Sequence, residues 1–113
     1  MGHKVTLPNS FRNPFKEDEM RAKGVTEHAT WKSKMFRLQA KKIKVNDAIL
    51  VVNLEKNGIK NYIGGSTFLE VYEAFTQNKK IFFYNPIPEV NYKDELIAIR
   101  PIVINGDLTL IHI

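Results

Sequence analysis

The chain has 113 residues, 43% of them hydrophobic and 26% charged, with a formal net charge of +5 and no cysteine. That length predicts a single domain over 1–113 with a modest core, and the cysteine count excludes disulfides and thiolate metal sites. No apolar stretch approaches the roughly 20 residues that span a bilayer, and Met1-Gly2-His3-Lys4 leads into no signal-peptide hydrophobic region, so a cytoplasmic protein without membrane contact is expected.

In chain order, Lys4–Leu7 is a short strand candidate stopped by Pro8-Asn9. Ser10–Lys23 combines Pro14, Phe11, Phe15 and the acidic cluster Glu17-Asp18-Glu19, and reads as a loop with one helical turn. Thr26 is expected to cap a long helix from about Glu27 to Ile43. Its apolar positions Trp31, Met35 and Leu38 recur at three- and four-residue spacing. From Thr30 to Lys44 there are six basic residues (Lys32, Lys34, Arg37, Lys41, Lys42, Lys44) and no acidic one. That run reads first as the solvated face of an amphipathic helix. A patch for phosphates is the sharper alternative. No helix-turn-helix, zinc-finger or RNA-binding fingerprint accompanies it, so nucleic acid is only a minor candidate partner.

Ala48–Val52 is an unbroken apolar run, as expected of a strand buried on both faces of a parallel sheet. Leu54–Gly65 is a loop with three glycines. The helix Thr67–Gln77 presents Phe68, Val71, Tyr72 and Phe75 at helical spacing, with Ser66 or Thr67 as its cap and Glu70 in its first turn. Ile81–Tyr84 is a second apolar strand and leads to Asn85-Pro86-Ile87-Pro88. Asp94–Ile99 is a short helix ended before Pro101. Ile102–Ile104 makes a last strand, Asn105-Gly106-Asp107 turns, and Leu108–Ile113 is apolar. This alternation predicts an α/β fold: a small parallel sheet of about four strands, right-handed crossovers and flanking helices. So small a sheet leaves apolar edges, and a second copy of the chain is expected to cover them.

Such sheets carry ligands at the carboxyl ends of their strands. That directs attention to Gly64 and Gly65, whose backbone amides can approach a ligand, to Ser66 and Thr67, and to Glu70. Asn53 and Asn85 end the two apolar strands, and Asp47 opens the first. Each also has a plain structural reading. Glycine turns the chain, Ser66 and Thr67 cap, asparagine is a common turn residue, Asp47 begins a strand, and an acid in a first helical turn is worth about 0.3–1 kcal/mol. His3, His28 and His112 have no metal-ligand spacing, so no metal is expected.

The segments Asp47-Ala48-Ile49-Leu50-Val51-Val52-Asn53, Gly65-Ser66-Thr67-Phe68-Leu69-Glu70 and Asn78-Lys79-Lys80-Ile81 resemble the signature of nucleoside 2-deoxyribosyltransferase-like proteins. The resemblance spans roughly residues 45–105. It implies a Rossmann-like or flavodoxin-like domain, a nucleoside or nucleotide ligand and no cofactor. It further implies that Glu70 is the nucleophile on the anomeric carbon of a deoxyribosyl group, in N-glycosidic transfer or hydrolysis, with Asp47 near the base. Gly2-His3-Lys4-Val5 looks like the family's second strand, so an N-terminally truncated domain is expected. Gly64 stands where the family has an aspartate, and Val71-Tyr72-Glu73-Ala74 stands where it prefers a small residue. A non-catalytic ligand-binding or protein-interaction module of the same fold is the alternative.

Overall fold

The structure, a computed structural model, describes residues 14–112. The Lys4–Leu7 strand candidate lies outside them. The chain divides into two compact units, Met1–Lys42 and Ile43–Ile113.

In the first unit, helix α1 (Lys16–Ala22) is followed by helix α2 (Val25–Lys44), whose last turn enters the second. A loop with one helical turn was expected over Ser10–Lys23, and α1 makes the helix two turns long. Its first turn holds Glu17, Asp18 and Glu19, where the helix macrodipole favours negative charge. Lys16–Glu19, Glu17–Arg21 and Asp18–Arg21 pair along its surface at 3.4–3.5 Å. α1 buries no residue, so no apolar period announces it. Gly24, at φ +112, occupies a conformation that only glycine adopts cheaply and separates the two helices. α2 starts at Val25, so Thr26 lies inside its first turn rather than capping it.

The second unit runs β1 (Ala48–Val51), α3 (Gly65–Thr76), β2 (Lys80–Phe83), α4 (Lys93–Ile99), β3 (Ile102–Val103) and a 3-10 turn at Leu108–Leu110. Among the described residues the sheet is open and wholly parallel in the order β1-β2-β3, with Ala48 opposite Lys80 and Phe82 opposite Ile102. The expected parallel α/β arrangement is present, built from three strands among the described residues rather than about four. Strands in sequential order joined by right-handed crossovers place α3 and α4 on one face. There Ile49, Val51, Ile81, Phe83 and Val103 pack with Val71 and Ala74 of α3 and Leu96 and Ile99 of α4.

β2 is central, and Ile81, Phe82 and Phe83 are all buried. The run Ala48–Val52 differs from its expectation of burial on both faces: Leu50 in β1 is 38% exposed, and Val52, just beyond the strand, 56%. Alternate side chains of a strand point to opposite faces, and only the Ile49–Val51 set of β1 meets the helices. The helix ends explain where the chain turns. Asn78, at φ +58, closes α3: its N–H donates to the Phe75 carbonyl at 3.1 Å and the Lys79 N–H to the Ala74 carbonyl at 2.9 Å, a Schellman motif. Arg100, at φ +59, ends α4 just before Pro101. No helix among the described residues is long and apolar enough to cross a membrane.

Candidate functional site

The glycine turn leads directly into α3. Gly64 is the N-cap in extended conformation, and no side chain caps the helix. Ser66 and Thr67 therefore lie inside the first turn and are not caps. The first turn holds no acid either, so Glu70 belongs to the second turn. The reason is the early start at Gly65, two residues before the expected Thr67. Helical side chains lean toward the N-terminus of their helix. Glu70 is half-buried and follows the turn formed by Ser66 and Thr67. The macrodipole acts chiefly within one turn of the helix end, so it favours the Glu70 carboxylate less than a first-turn position would.

The two glycines differ in what surrounds them. A Cβ on Gly64 would stand 3.1 Å from Cε2 of Tyr62, so the ring of Tyr62 closes that side of the turn. A Cβ on Gly65 would meet no described atom within 4 Å. Gly65 is also helical, so neither its conformation nor its packing requires glycine. The turn is held from behind by Tyr92, whose hydroxyl donates to the Ile63 carbonyl while its ring stacks on Phe68 with centroids 5.2 Å apart. Burial pushes the Tyr92 phenol above its usual range, and the neighbouring Tyr62 adds to the shift. Lys56 sits with its Nζ 5.9 Å from the centre of the Tyr62 ring. It begins a small hairpin, bridged to Ile59, whose turn residues Asn57 and Gly58 both have positive φ.

Tyr62 and Tyr92 escaped the sequence reading. Tyr62 offered one signal, its place two residues before the glycine pair. Tyr92 offered none, because its partners Ile63 and Phe68 come from a distant part of the chain.

Asn53 and Asn85 come together at the carboxyl ends of β1 and β2. Asn53 is 1% exposed. Its Oδ1 accepts the Asn85 backbone N–H at 2.8 Å, and its Nδ2 donates to the carbonyls of Asn85 and Pro86, each at 3.0 Å. The amide of Asn53 is thereby engaged within the chain, and it fastens the loops that carry the site. Asp47 is placed elsewhere. It is exposed and immediately precedes β1, so six residues of largely extended chain, of the order of 20 Å, separate it from Asn53. Gly64, Gly65, Ser66, Thr67 and Glu70 all lie in the N-cap and first two turns of α3; Asp47, before β1, is not among them. No group of three His, Asp or Glu residues suited to a metal occurs among the described residues.

A carboxylate beside an open helix start can accept hydrogen bonds from sugar hydroxyls, and a suitably placed electrophilic carbon can be attacked by it. Comparison of the chain with family models, with curated proteins and with solved structures yields no match.

Proposed function

We propose that the chain binds a nucleoside or nucleotide at the start of α3, within a Rossmann-like domain, and that Glu70 acts on its sugar. Gly65 carries this assignment. It leaves space that nothing described in the chain fills, at the end of the sheet where parallel α/β folds take their ligands. The resemblance of residues 45–105 to deoxyribosyltransferase-like proteins supports the choice of ligand.

In the proposed reaction the Glu70 carboxylate forms a bond to the anomeric carbon as the bond from that carbon to the base nitrogen breaks, and the departing base takes a proton from solvent, which the second step returns to solvent. Water or a second base then attacks the same carbon and returns the carboxylate. Two carboxylates commonly share such work. Asp47 lies at the opposite end of β1, which leaves the acid without a residue, so binding is expected to exceed turnover. Binding without any turnover would assign the chain to the non-catalytic alternative. A homo-oligomer is also proposed, because parallel sheets are normally covered on both faces and Leu50 and Ile102 lie exposed on the face away from α3 and α4.

Calorimetric titration with deoxynucleosides and their monophosphates tests binding, and incubation with a deoxynucleoside and a free base, read by chromatography, tests transfer. Glu70→Ala is expected to abolish transfer and preserve the fold. Transfer at near wild-type rate in that variant would remove Glu70 as nucleophile, and no binding of any deoxynucleoside would remove the assignment itself. Sedimentation as a monomer at tens of micromolar would remove the oligomer.

A further inference from the structure

Charge in the first unit is distributed unequally between its two helices. The carboxylates of α1 are compensated: Glu17 accepts from Lys32 at 2.7 Å and from His28 at 3.0 Å, Asp18 pairs with Arg21, and Glu19 with Lys16. Among the described residues, Lys23, Lys34, Arg37 and Lys41 pair with no carboxylate. Lys34, Arg37 and Lys41 follow one another at three and four residues, which aligns them as one exposed stripe of α2. At 1.5 Å per residue that stripe is about 10 Å long.

The Lys34 end of the stripe opens into a groove of about 380 Å³ lined by Lys16, Met20, Lys23, Glu27, Trp31 and Lys34, among others. Among the described residues Glu27 is the one carboxylate on it, against three lysines. Trp31, the only tryptophan of the chain, is half-buried. Its ring is steadied by His28, stacked at 6.1 Å between centroids, and by Lys32, whose Nζ is 6.0 Å from the ring centre.

We propose that this surface binds single-stranded nucleic acid, with successive phosphates along Lys34, Arg37 and Lys41 and one base in the groove against Trp31. The charge pattern selects the partner. A phosphodiester backbone carries a negative charge at every nucleotide and so meets a continuous row of uncompensated cations. The groove selects the single strand, because only an unstacked base can enter it and lie on an aromatic ring. The contact recognises phosphate and the face of a base, so ribose and deoxyribose strands bind alike. This assignment is independent of the site at α3, whose residues it does not use.

The test is a titration of the full chain with oligo(dT) and oligo(rU) of about a dozen nucleotides, followed by the fluorescence of Trp31. Saturable quenching is expected with both. The logarithm of the binding constant should fall with the logarithm of salt concentration at about −0.7 per phosphate contact, hence near −2 for the three-cation stripe. The combined substitution K34E, R37E, K41E should flatten that slope and weaken binding at low salt at least about tenfold, with helicity checked by circular dichroism. Trp31→Phe, which keeps an aromatic face, should retain binding as read by anisotropy of a labelled oligomer. Unchanged Trp31 fluorescence at low salt would overturn the proposal. So would wild-type affinity in the charge-reversed variant, equal affinity for an abasic oligomer of the same length, or tighter binding to phosphatidylserine vesicles than to either oligomer.

Discussion

Asn53 and Asn85 are joined reciprocally: the Asn85 backbone N–H donates to Asn53 Oδ1 at 2.8 Å, and Asn85 Nδ2 donates to the Asn53 carbonyl at 2.9 Å. Asn53 Nδ2 completes the set with the Asn85 carbonyl at 3.0 Å. The loops after β1 and β2 are therefore fixed to each other by polar groups in a nearly dry place. Leaving a buried donor or acceptor unmet costs about 1–3 kcal/mol. Asn53→Ala strands the Asn85 N–H and two carbonyls, so a loss of roughly 2–5 kcal/mol is expected in urea unfolding. Asn53→Asp should be at least as damaging, because a carboxylate cannot donate to the Asn85 and Pro86 carbonyls. A loss under about 0.5 kcal/mol for either variant would show that the fastening is dispensable.

Gly64 and Gly65 should respond differently to alanine. Gly65→Ala adds a methyl in empty space at a helical position and should raise stability by about 0.5–1 kcal/mol. The same methyl should obstruct a nucleoside approaching the start of α3, so affinity should fall while the melting temperature rises. Gly64→Ala presses on the Tyr62 ring and should not stabilise. Gly65→Ala with undiminished nucleoside affinity would separate the glycine from ligand binding. Calorimetry and thermal melts on the same samples make the distinction.

Tyr92 links the turn to the core through one hydroxyl. Tyr92→Phe keeps the stacking on Phe68 and removes the bond to the Ile63 carbonyl, with an expected cost of about 0.5–1.5 kcal/mol. Nucleoside affinity should fall with it, because the Gly64-Gly65 turn loses its anchor. The phenol also makes stability depend on alkaline pH. Its folded value is raised, so its contribution is complete below the unfolded value of about 10 and fades as pH rises through the folded value. Tyr92→Phe should abolish that part of the alkaline loss, read from unfolding midpoints between neutral pH and pH 11.

Glu17 gives the first unit an acid dependence of opposite sense. The hydrogen bond from Lys32 holds its carboxyl below the usual range, helped by His28 and opposed by partial burial. A lowered folded value contributes stability above the unfolded value and loses it as pH falls through the folded one. Helical circular dichroism should therefore decline below about pH 4, and Glu17→Gln should be less helical at neutral pH with a smaller further decline. Equal acid titrations for the two proteins would refute the role of Glu17.

How much of this was legible beforehand depended on whether a residue's surroundings are local. Ile81–Tyr84 read as a buried strand, and Ile81–Phe83 of it are strand and buried, because a central strand is apolar on both faces. Ala48–Val52 looks the same on paper, yet Leu50 and Val52 are exposed, since an apolar run does not reveal which strand stands at an edge. The glycine pair announced the turn before α3, but Ser66 and Thr67 drew the helix start too late, because capping preference is a statistical tendency and Gly64 served instead. α1 was invisible to apolar periodicity, being held by charge pairs. Asn53 attracted attention as a ligand residue, and its actual partner, Asn85, lies a whole crossover away along the chain. Asp47 illustrates the converse: it opens β1 as the sequence suggests, but the sequence does not show that this end of the strand lies away from Gly64 and Glu70.

The pairing of Ala48 with Lys80 and of Phe82 with Ile102 has a kinetic consequence. Every ladder in the sheet must wait for an entire helical crossover to be drawn closed, and such non-local closure slows folding. α1 and α2 need only neighbouring residues, on the microsecond scale of helix formation. The helices of the first unit should thus be in place while the sheet residues are still searching, so the apolar segments Ile49–Val51 and Ile81–Phe83 pass through an interval of exposure. During synthesis at high concentration, that interval rather than the finished fold would govern how much of the protein is lost to aggregation.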